Sequence, residues 1–311
     1  MLVITRCCTR QNHTWTTTLW IWRRSSVSLF LLLLLISLLR WWLISPSSTT
    51  TNGVPWKSWD PVPKDLLLPW ALQRCTSNLS DLGFVLMVSS VNTNLHDAQR
   101  STFLLNAPHK WTFSDSASDH TITLPEIEGK TSYADAQHRQ LRGMQWLLRR
   151  GLPSTVRWYI LIDDDTWVQL PVLLRLLSSL ETHFEPTKEK IILGNRWHSG
   201  VFNGGAGIVL SSAGFSAISG ALYTAQCPFD KANDDTVTLC IKNLGGFRTL
   251  HSNLFSWYPK EPITSYRDFM EMATMHSIKD PALMLALQQE SNGFCKTHWP
   301  NDQNSFYCGG C

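Results

Sequence analysis

Apolar positions between residues 83 and 250 follow two spacings. Continuous apolar runs such as Gly83–Ser89 and Val156–Ile162 are typical of buried strands. Apolar residues three and four positions apart, as in Tyr133–Arg150, are typical of helices. In chain order, the pattern predicts strand 83–89, helix 96–105, strand 110–113, helix 133–150, strand 156–162, helix 171–180, strands 190–193 and 208–210, a helix capped by Ser211, and helix 234–242.

This alternation of strands and helices predicts an α/β fold with a sheet covered on both faces. Open sheets of this kind bind ligands beyond the carboxyl ends of their strands. Asp163, Asp164 and Asp165 follow the strand 156–162 directly. We therefore expect these three carboxylates to lie at a binding site.

An apolar segment at residues 25–44 precedes this region. About 20 such residues suffice to cross a bilayer. Four arginines come before the segment, and no acidic residue follows it until Asp60, so the positive-inside rule places residues 1–24 in the cytoplasm. We predict a single-pass type II protein with a transmembrane signal anchor at 25–44. The alternative is a cleaved signal peptide, for which Ser45-Pro46-Ser47 offers a weak cleavage site.

The composition, the sequon and the cysteines of residues 45–311 are typical of a lumenal protein. Residues 45–78, rich in Ser, Thr, Pro and Trp, are predicted to be a stem, and residues 79–311 the folded domain. Asn78-Leu79-Ser80 is an N-glycosylation sequon. A near-neutral body without a basic stripe argues against a nucleic-acid partner. An even set of cysteines after the anchor suggests disulfides in an oxidising compartment: Cys75, Cys227, Cys240, Cys295, Cys308 and Cys311.

The three consecutive carboxylates at Asp163–Asp165 repel one another and lose solvation beside a buried strand. A hard divalent cation such as Mg²⁺ or Mn²⁺ would compensate this charge and could hold a diphosphate. A solvated acidic loop or a helix N-cap cluster is the structural alternative. A calcium-binding EF-hand loop is excluded, because Val168 and Leu174 occupy the positions of its required Gly and Glu.

Two further segments carry candidate chemistry. Residues 202–207 (FNGGAG) place three glycines before strand 208–210, and such glycines let the backbone approach a ligand closely. This loop lacks the Gly-Lys-Ser/Thr ending of a P-loop. Asn233-Asp234-Asp235-Thr236 opens a helix, where a carboxylate either caps the helix or acts as a general base.

Three blocks resemble the signature sequences of the fringe-related β1,3-glycosyltransferases. They are WYILIDDDTWV (158–168), FNGGAGIVLS (202–211) and NDDTVTLCIKNLGG (233–246), in the family's order and spacing. LHDAQRSTFLLNA (95–107) and WTFSDS (111–116) resemble the family's first helix and second strand. The resemblance implies a GT-A fold with one Rossmann-like, mostly parallel sheet, a UDP-sugar donor, Mn²⁺, and inversion at the anomeric carbon.

The resemblance also implies roles for single residues. Asp165 would ligate the metal, Asp163 would contact the metal or its bound water or the donor ribose, and Asp164 would support both. The remaining predicted donor contacts are Ser89, Arg100, Gly204, Gly205 and Ala206.

The predicted general base is Asp234 or Asp235. Asp235 is preferred, because its partner at the helix start more naturally caps the helix. Cys227 and Cys240 resemble a disulfide of the family that braces this segment.

The family usually has a metal-binding His after the Phe that ends its third block, but here Ser256 follows Phe255. His251 lies nearby and is expected to be structural. The missing imidazole raises the alternative of an inactive relative that serves as a lumenal chaperone or binding subunit. A calcium-dependent adhesion module would fit the carboxylates but not the α/β alternation.

The expected protein is therefore a Golgi or ER glycosyltransferase. It would transfer GlcNAc, Gal or Glc from a UDP-sugar to a glycoprotein acceptor, with O-fucose as one candidate acceptor sugar.

Overall fold

The computed structural model describes residues 60–61, 77–197, 199–257 and 272–298. The predicted tail (1–24) and anchor (25–44), together with Cys75, Cys308 and Cys311, lie outside the described residues. Within the described ranges, no helix is both long enough and apolar enough to cross a membrane.

Ten strands and six α-helices make up the described chain. The strands are β1 (Asp60–Pro61), β2 (Leu82–Val88), β3 (His109–Ser114), β4 (Trp158–Asp163), β5 (Trp167–Val168), β6 (Ile191–Gly194), β7 (Ile208–Ser211), β8 (Arg248–His251), β9 (Phe255–Ser256) and β10 (Thr274–Met275). The helices are α1 (Thr93–Ser101), α2 (Tyr133–Arg150), α3 (Leu170–Glu181), α4 (Ser212–Ala221), α5 (Asn233–Leu244) and α6 (Pro281–His298).

Seven strands form a central sheet in the order β1-β8-β6-β7-β4-β2-β3. Strands β3, β2 and β4 are mutually parallel, as are β6, β8 and β1. Strand β7 runs antiparallel to both of its neighbours, β4 and β6. The sheet is thus mostly parallel, which confirms the predicted α/β class. A second sheet, β5-β10-β9, begins just past the carboxyl end of β4.

Strand β4 separates two apolar cores, because successive side chains of a strand point to opposite faces. Trp158, Ile160 and Ile162 lie in one core with the leucines of α3. Tyr159 and Leu161 lie in the other, with residues of α2, α4 and α5. Helices therefore cover both faces, as the sequence pattern predicts. The acidic turn after β4 lies at the end of the strand that both cores hold in place.

Local signals account for most element boundaries. Helix α2 has the predicted range and begins at Ser132, whose side chain accepts the Asp135 N–H. Ser211 caps α4 as predicted, accepting the Gly214 N–H at 3.1 Å. Helix α1 starts and ends earlier than predicted. Thr102 is its C-cap and leaves the helical conformation, and its hydroxyl donates to the carbonyls of the preceding turn.

The predicted stem contains an ordered feature. Strand β1 lies within residues 45–78 and pairs in parallel with β8, with Asp60 opposite Leu250. Asn78, the sequon asparagine, is exposed, and its side chain caps the 3₁₀ turn at Leu79–Asp81.

The predicted disulfide between Cys227 and Cys240 is confirmed. Both residues are fully buried, and the bond ties the loop before α5 to the middle of that helix. Asp234 and Asp235 lie inside the closed loop, so the disulfide restrains the segment that carries them.

Replacing both cysteines, as Cys227→Ala/Cys240→Ala, should lower the free energy of unfolding by about 3 kcal/mol, because a short closed loop no longer restricts the unfolded chain. Urea unfolding under non-reducing conditions measures the change. Wild-type protein treated with a reductant should fall to the same midpoint. An unchanged midpoint in both would contradict a stabilising role.

Candidate active site

A cavity of about 540 Å³ opens at the carboxyl end of β4. Its walls come from the turn after β2, from α2, from the acidic turn, from the glycine loop, from α5 and from the segment after β10. This is the edge at which open α/β sheets bind ligands.

Asp163, Asp165 and His276 form a cluster on one wall of the cavity, with ligand atoms all within 4.8 Å of one another. His276 Nε2 lies 3.2 Å from Asp165 Oδ1 and 4.0 Å from Asp163 Oδ2. Asp163 Oδ1 is buried and accepts no hydrogen bond from any described residue. An imidazole and two carboxylates, one of which has an orphaned buried oxygen, fit a divalent cation.

His276 corrects the expectation that the site lacks an imidazole. Ser256 does occupy the family's histidine position, in β9, but β10 pairs beside it with Met275 opposite Ser256. The His276 N–H donates to the Ser256 carbonyl at 3.0 Å. Strand β10 therefore places the imidazole of His276 beside Ser256, where the sequence around Ser256 supplies none. No motif marks His276, because its position depends on this pairing.

Two contacts orient the His276 ring. Its Nδ1 lies 3.1 Å from the Trp257 carbonyl, which fixes the tautomer that leaves Nε2 facing the carboxylates. The ring also lies against the glycine loop, where a Cβ atom at Gly205 would clash with it. Gly205 is thus required by the close approach of the imidazole.

Lys279 is a second residue that sequence reasoning missed. Its ammonium group hydrogen-bonds to Asp165 Oδ2. Burial alone would raise the pKa of Asp165, but the hydrogen bonds from His276 and Lys279 hold that pKa below its usual value. Asp165 is therefore favoured as an anion, with the Lys279 ammonium and the His276 ring beside it.

The other two aspartates experience different surroundings. Burial, reinforced by the nearby Asp165 charge, raises the pKa of Asp163 to about 7. Burial also raises the pKa of Asp164, although Asn92 Nδ2 donates to this carboxylate at 3.1 Å and the Ser89 N–H at 3.4 Å. Burial lowers the pKa of His276, but its hydrogen bond with Asp165 and the two carboxylate charges outweigh burial, and the pKa is raised.

Asp234 lies on the cavity wall, whereas Asp235 does not line the cavity. Asp234 Oδ2 accepts the Gly204 N–H at 3.2 Å, and its Oδ1 accepts the Asp235 N–H at 2.8 Å. Ala232 is the N-cap of α5, and no side-chain capping bond is present. Asp234 thus accepts a first-turn amide of α5, as expected, but it is also the member of the pair that lines the cavity.

The remaining predicted donor contacts divide into two groups. Ser89, Asp164 and Gly205 line the cavity. Gly204 and Ala206 do not line it. The Gly204 N–H donates to the Asp234 side chain at the start of α5, and the Ala206 N–H donates to the Asn203 side chain of its own loop.

Arg100 lies apart from the cavity. It is on α1 and pairs with Asp97 at 3.6 Å. The structure therefore does not bring it to the other predicted donor residues.

Residues 98–274, more than half of the chain, match the sequence model of the Fringe-like family. Among solved structures, the chain is similar to a glycosyltransferase involved in the glycosylation of the major capsid of PBCV-1. The two share 11% sequence identity with a TM-score of 0.40, over 65% of this chain and 98% of that one. No curated protein sequence matches the chain.

The variant His276→Ala should bind Mn²⁺ at least 10–100-fold more weakly, since loss of even an outer-shell partner has an effect of that size. Isothermal titration calorimetry with Mn²⁺ measures it. The matched control is His251→Ala, because His251 accepts the Arg196 N–H at 3.2 Å and lies outside the cluster. Loss of affinity in the control alone would contradict the assignment.

Mn²⁺ affinity should fall as the pH is lowered from 8 to 6. The ion competes with protons on Asp163 and His276, whose pKa values are both raised, so fewer molecules have free ligands below pH 7. We expect a loss of roughly tenfold for each ligand protonated over that range. Calorimetry at three pH values checks this, with Asp163→Asn expected to show a flatter profile. A pH-independent affinity would rule out proton competition.

Proposed function

Because the chain belongs to the Fringe-like family of glycosyltransferases, we propose that it is a metal-dependent, inverting β1,3-glycosyltransferase that uses a UDP-sugar. The observation that carries this proposal is one cavity with two acidic walls. Asp163, Asp165 and His276 form a cation-binding cluster on one side, and Asp234 faces the same space from α5.

The donor would lie across the carboxyl ends of β2 and β4. Ser89 and Asn92 follow β2, and both donate to Asp164, so this part of the cavity offers a preformed polar surface for the nucleotide. The glycine loop lies close to the cation cluster. A Cβ atom at Gly205 would clash with the His276 ring, so glycine is the residue that fits there. A bound divalent cation would neutralise the charge that develops on the departing diphosphate.

We assign the role of general base to Asp234. Its carboxylate would take the proton from an acceptor hydroxyl as that oxygen bonds to C1 of the donor sugar. The bond from C1 to the phosphate oxygen breaks at the same time, UDP leaves, and the configuration at C1 inverts. The Gly204 N–H donates to this carboxylate and holds it in place.

The biological setting remains as the sequence predicts it. We propose a Golgi or ER membrane protein, with a cytoplasmic tail, an anchor at 25–44, a stem and a lumenal catalytic domain. A disulfide within the folded part and an exposed sequon asparagine at Asn78 support that compartment. The donated sugar would be GlcNAc, Gal or Glc, and the acceptor a glycoprotein glycan. Arg100, which does not line the cavity, is not part of the proposed donor site.

The inactive-relative alternative depended on a missing metal-binding histidine. His276 removes that observation, because an imidazole does lie beside Asp163 and Asp165. Mn²⁺ is the ion we propose for the cluster.

The variant Asp234→Asn should lower kcat by roughly 10²–10⁴-fold, the usual contribution of a general base. Asp235→Asn is the matched control, one position along the same helix, and should stay within a few-fold of wild type. UDP release is measured with Mn²⁺ and UDP-GlcNAc, UDP-Gal or UDP-Glc, using O-fucose and GalNAc glycosides as acceptors. UDP binding to Asp234→Asn, followed by thermal shift, shows whether the donor site remains intact.

Three results would contradict parts of the proposal. No UDP release by the wild type from any donor would reject the enzymatic function. An inactive Asp235→Asn with an active Asp234→Asn would move the base to Asp235. Turnover that does not depend on a divalent ion would reject the role given to Asp165.

A further inference from the structure

Two tryptophans, Trp197 and Trp257, line the cavity and remain partly open to solvent. Each is 41% exposed, and their rings meet edge to face with centroids 4.5 Å apart. Both are cavity-lining residues, beside the carboxylates and His276. Large aromatic surface left open on the wall of a polar cavity is typical of a binding site.

Hydrogen bonds fix the backbone of both tryptophans, and the two rings pack against each other. The Trp197 N–H donates to the Val201 carbonyl at 2.9 Å, and the Trp197 carbonyl accepts the Gly200 N–H at 2.9 Å. Gly200 has φ +94°, a conformation that favours glycine, so the turn depends on this residue. The Trp257 carbonyl lies 3.1 Å from His276 Nδ1. The aromatic pair is therefore preorganised, and binding to it would need little reordering.

The sheet order separates this pair from the nucleotide side of the cavity. Trp197 follows β6 and Trp257 follows β9, whereas Ser89 follows β2. Strand β6 lies on the opposite side of β4 from β2, and its carboxyl end faces the same edge of the sheet. With the nucleotide over β2 and the cation cluster at β4, the tryptophans lie where the second substrate must approach.

We infer that Trp197 and Trp257 bind the pyranose ring of the acceptor glycan. This inference rests on the proposed function. One face of a neutral pyranose presents C–H groups that pack on an aromatic ring, while its hydroxyls stay at the rim in water or reach Asp234. Tryptophan suits this contact because its ring is large and apolar. The wall selects for acceptors with a flat, uncharged face.

The test measures acceptor binding by full-length protein in the presence of Mn²⁺ and UDP. The probes are an array of neutral mono- and oligosaccharides, together with methyl α-fucoside and methyl N-acetyl-α-galactosaminide, whose methyl groups add no aromatic surface of their own. Trp197→Ala and Trp257→Ala should each weaken binding of the recognised glycan roughly tenfold, or about 1.4 kcal/mol. In transfer assays, the loss should appear in the acceptor KM more than in kcat.

Two controls keep the result interpretable. Trp197→Phe retains an aromatic face and should keep most of the affinity. Leu105→Ala removes another exposed apolar side chain, 61% exposed and outside the cavity, and should bind as the wild type does. Thermal unfolding of each variant reports its folding.

Three outcomes would overturn the inference. The first is a wild type that binds no glycan, and the second is alanine variants that bind glycan within twofold of wild type. The third is a loss of UDP affinity in the alanine variants that is larger than their loss of acceptor affinity. That result would place the nucleoside base on the tryptophans. UDP release by the wild type without acceptor tests the proposed function separately.

Discussion

The crowding of carboxylates at the end of β4 is the constraint on which the site depends. Two unit charges 4 Å apart repel by about 4 kcal/mol at the effective dielectric of a protein surface. Asp164 is supported by neutral donors, and Asp165 by His276 and Lys279. Asp163 has an orphaned oxygen and a pKa raised to about 7. The unpartnered oxygen of Asp163 is therefore the point where a cation would bind.

Buried amide side chains join the cation cluster to the proposed base. Gln99 Nε2 donates to the carbonyls of Asp163 and Thr166, each at 2.8 Å, and so holds the acidic turn. The Gln140 side chain donates through Nε2 to the Ile162 carbonyl of β4 at 3.3 Å. Its Oε1 accepts from Asn233 Nδ2 at 2.8 Å. Asn233 precedes Asp234, so one network positions both walls of the cavity. Such supporting contacts keep catalytic groups within the small tolerances that chemistry requires.

The proposed acceptor side of the cavity, at Trp197 and Trp257, differs in chemistry from the cation cluster. There the wall is aromatic and is positioned by turns, and the Trp257 carbonyl links it to His276 of the cation cluster. This division suits a transferase, since a charged diphosphate needs a polar, cation-bearing site and a neutral sugar needs a shaped apolar face. The single step between them would occur where Asp234 meets both.

The sequence by itself predicted the main strands and helices between β2 and α5 and most of the acidic site, but not β1, β8, the second sheet or α6. Apolar runs and helical spacing predict β2, β4 and α2 because burial and capping are local signals, and the three blocks predict Asp163–Asp165, the glycine loop and the disulfide. Only the tertiary structure decided which of two adjacent aspartates faces the cavity, because one step along a helix turns a side chain by about 100°. Only pairing of β10 with β9 brings His276 to the site beside Ser256, since strand pairing joins residues that no local pattern connects.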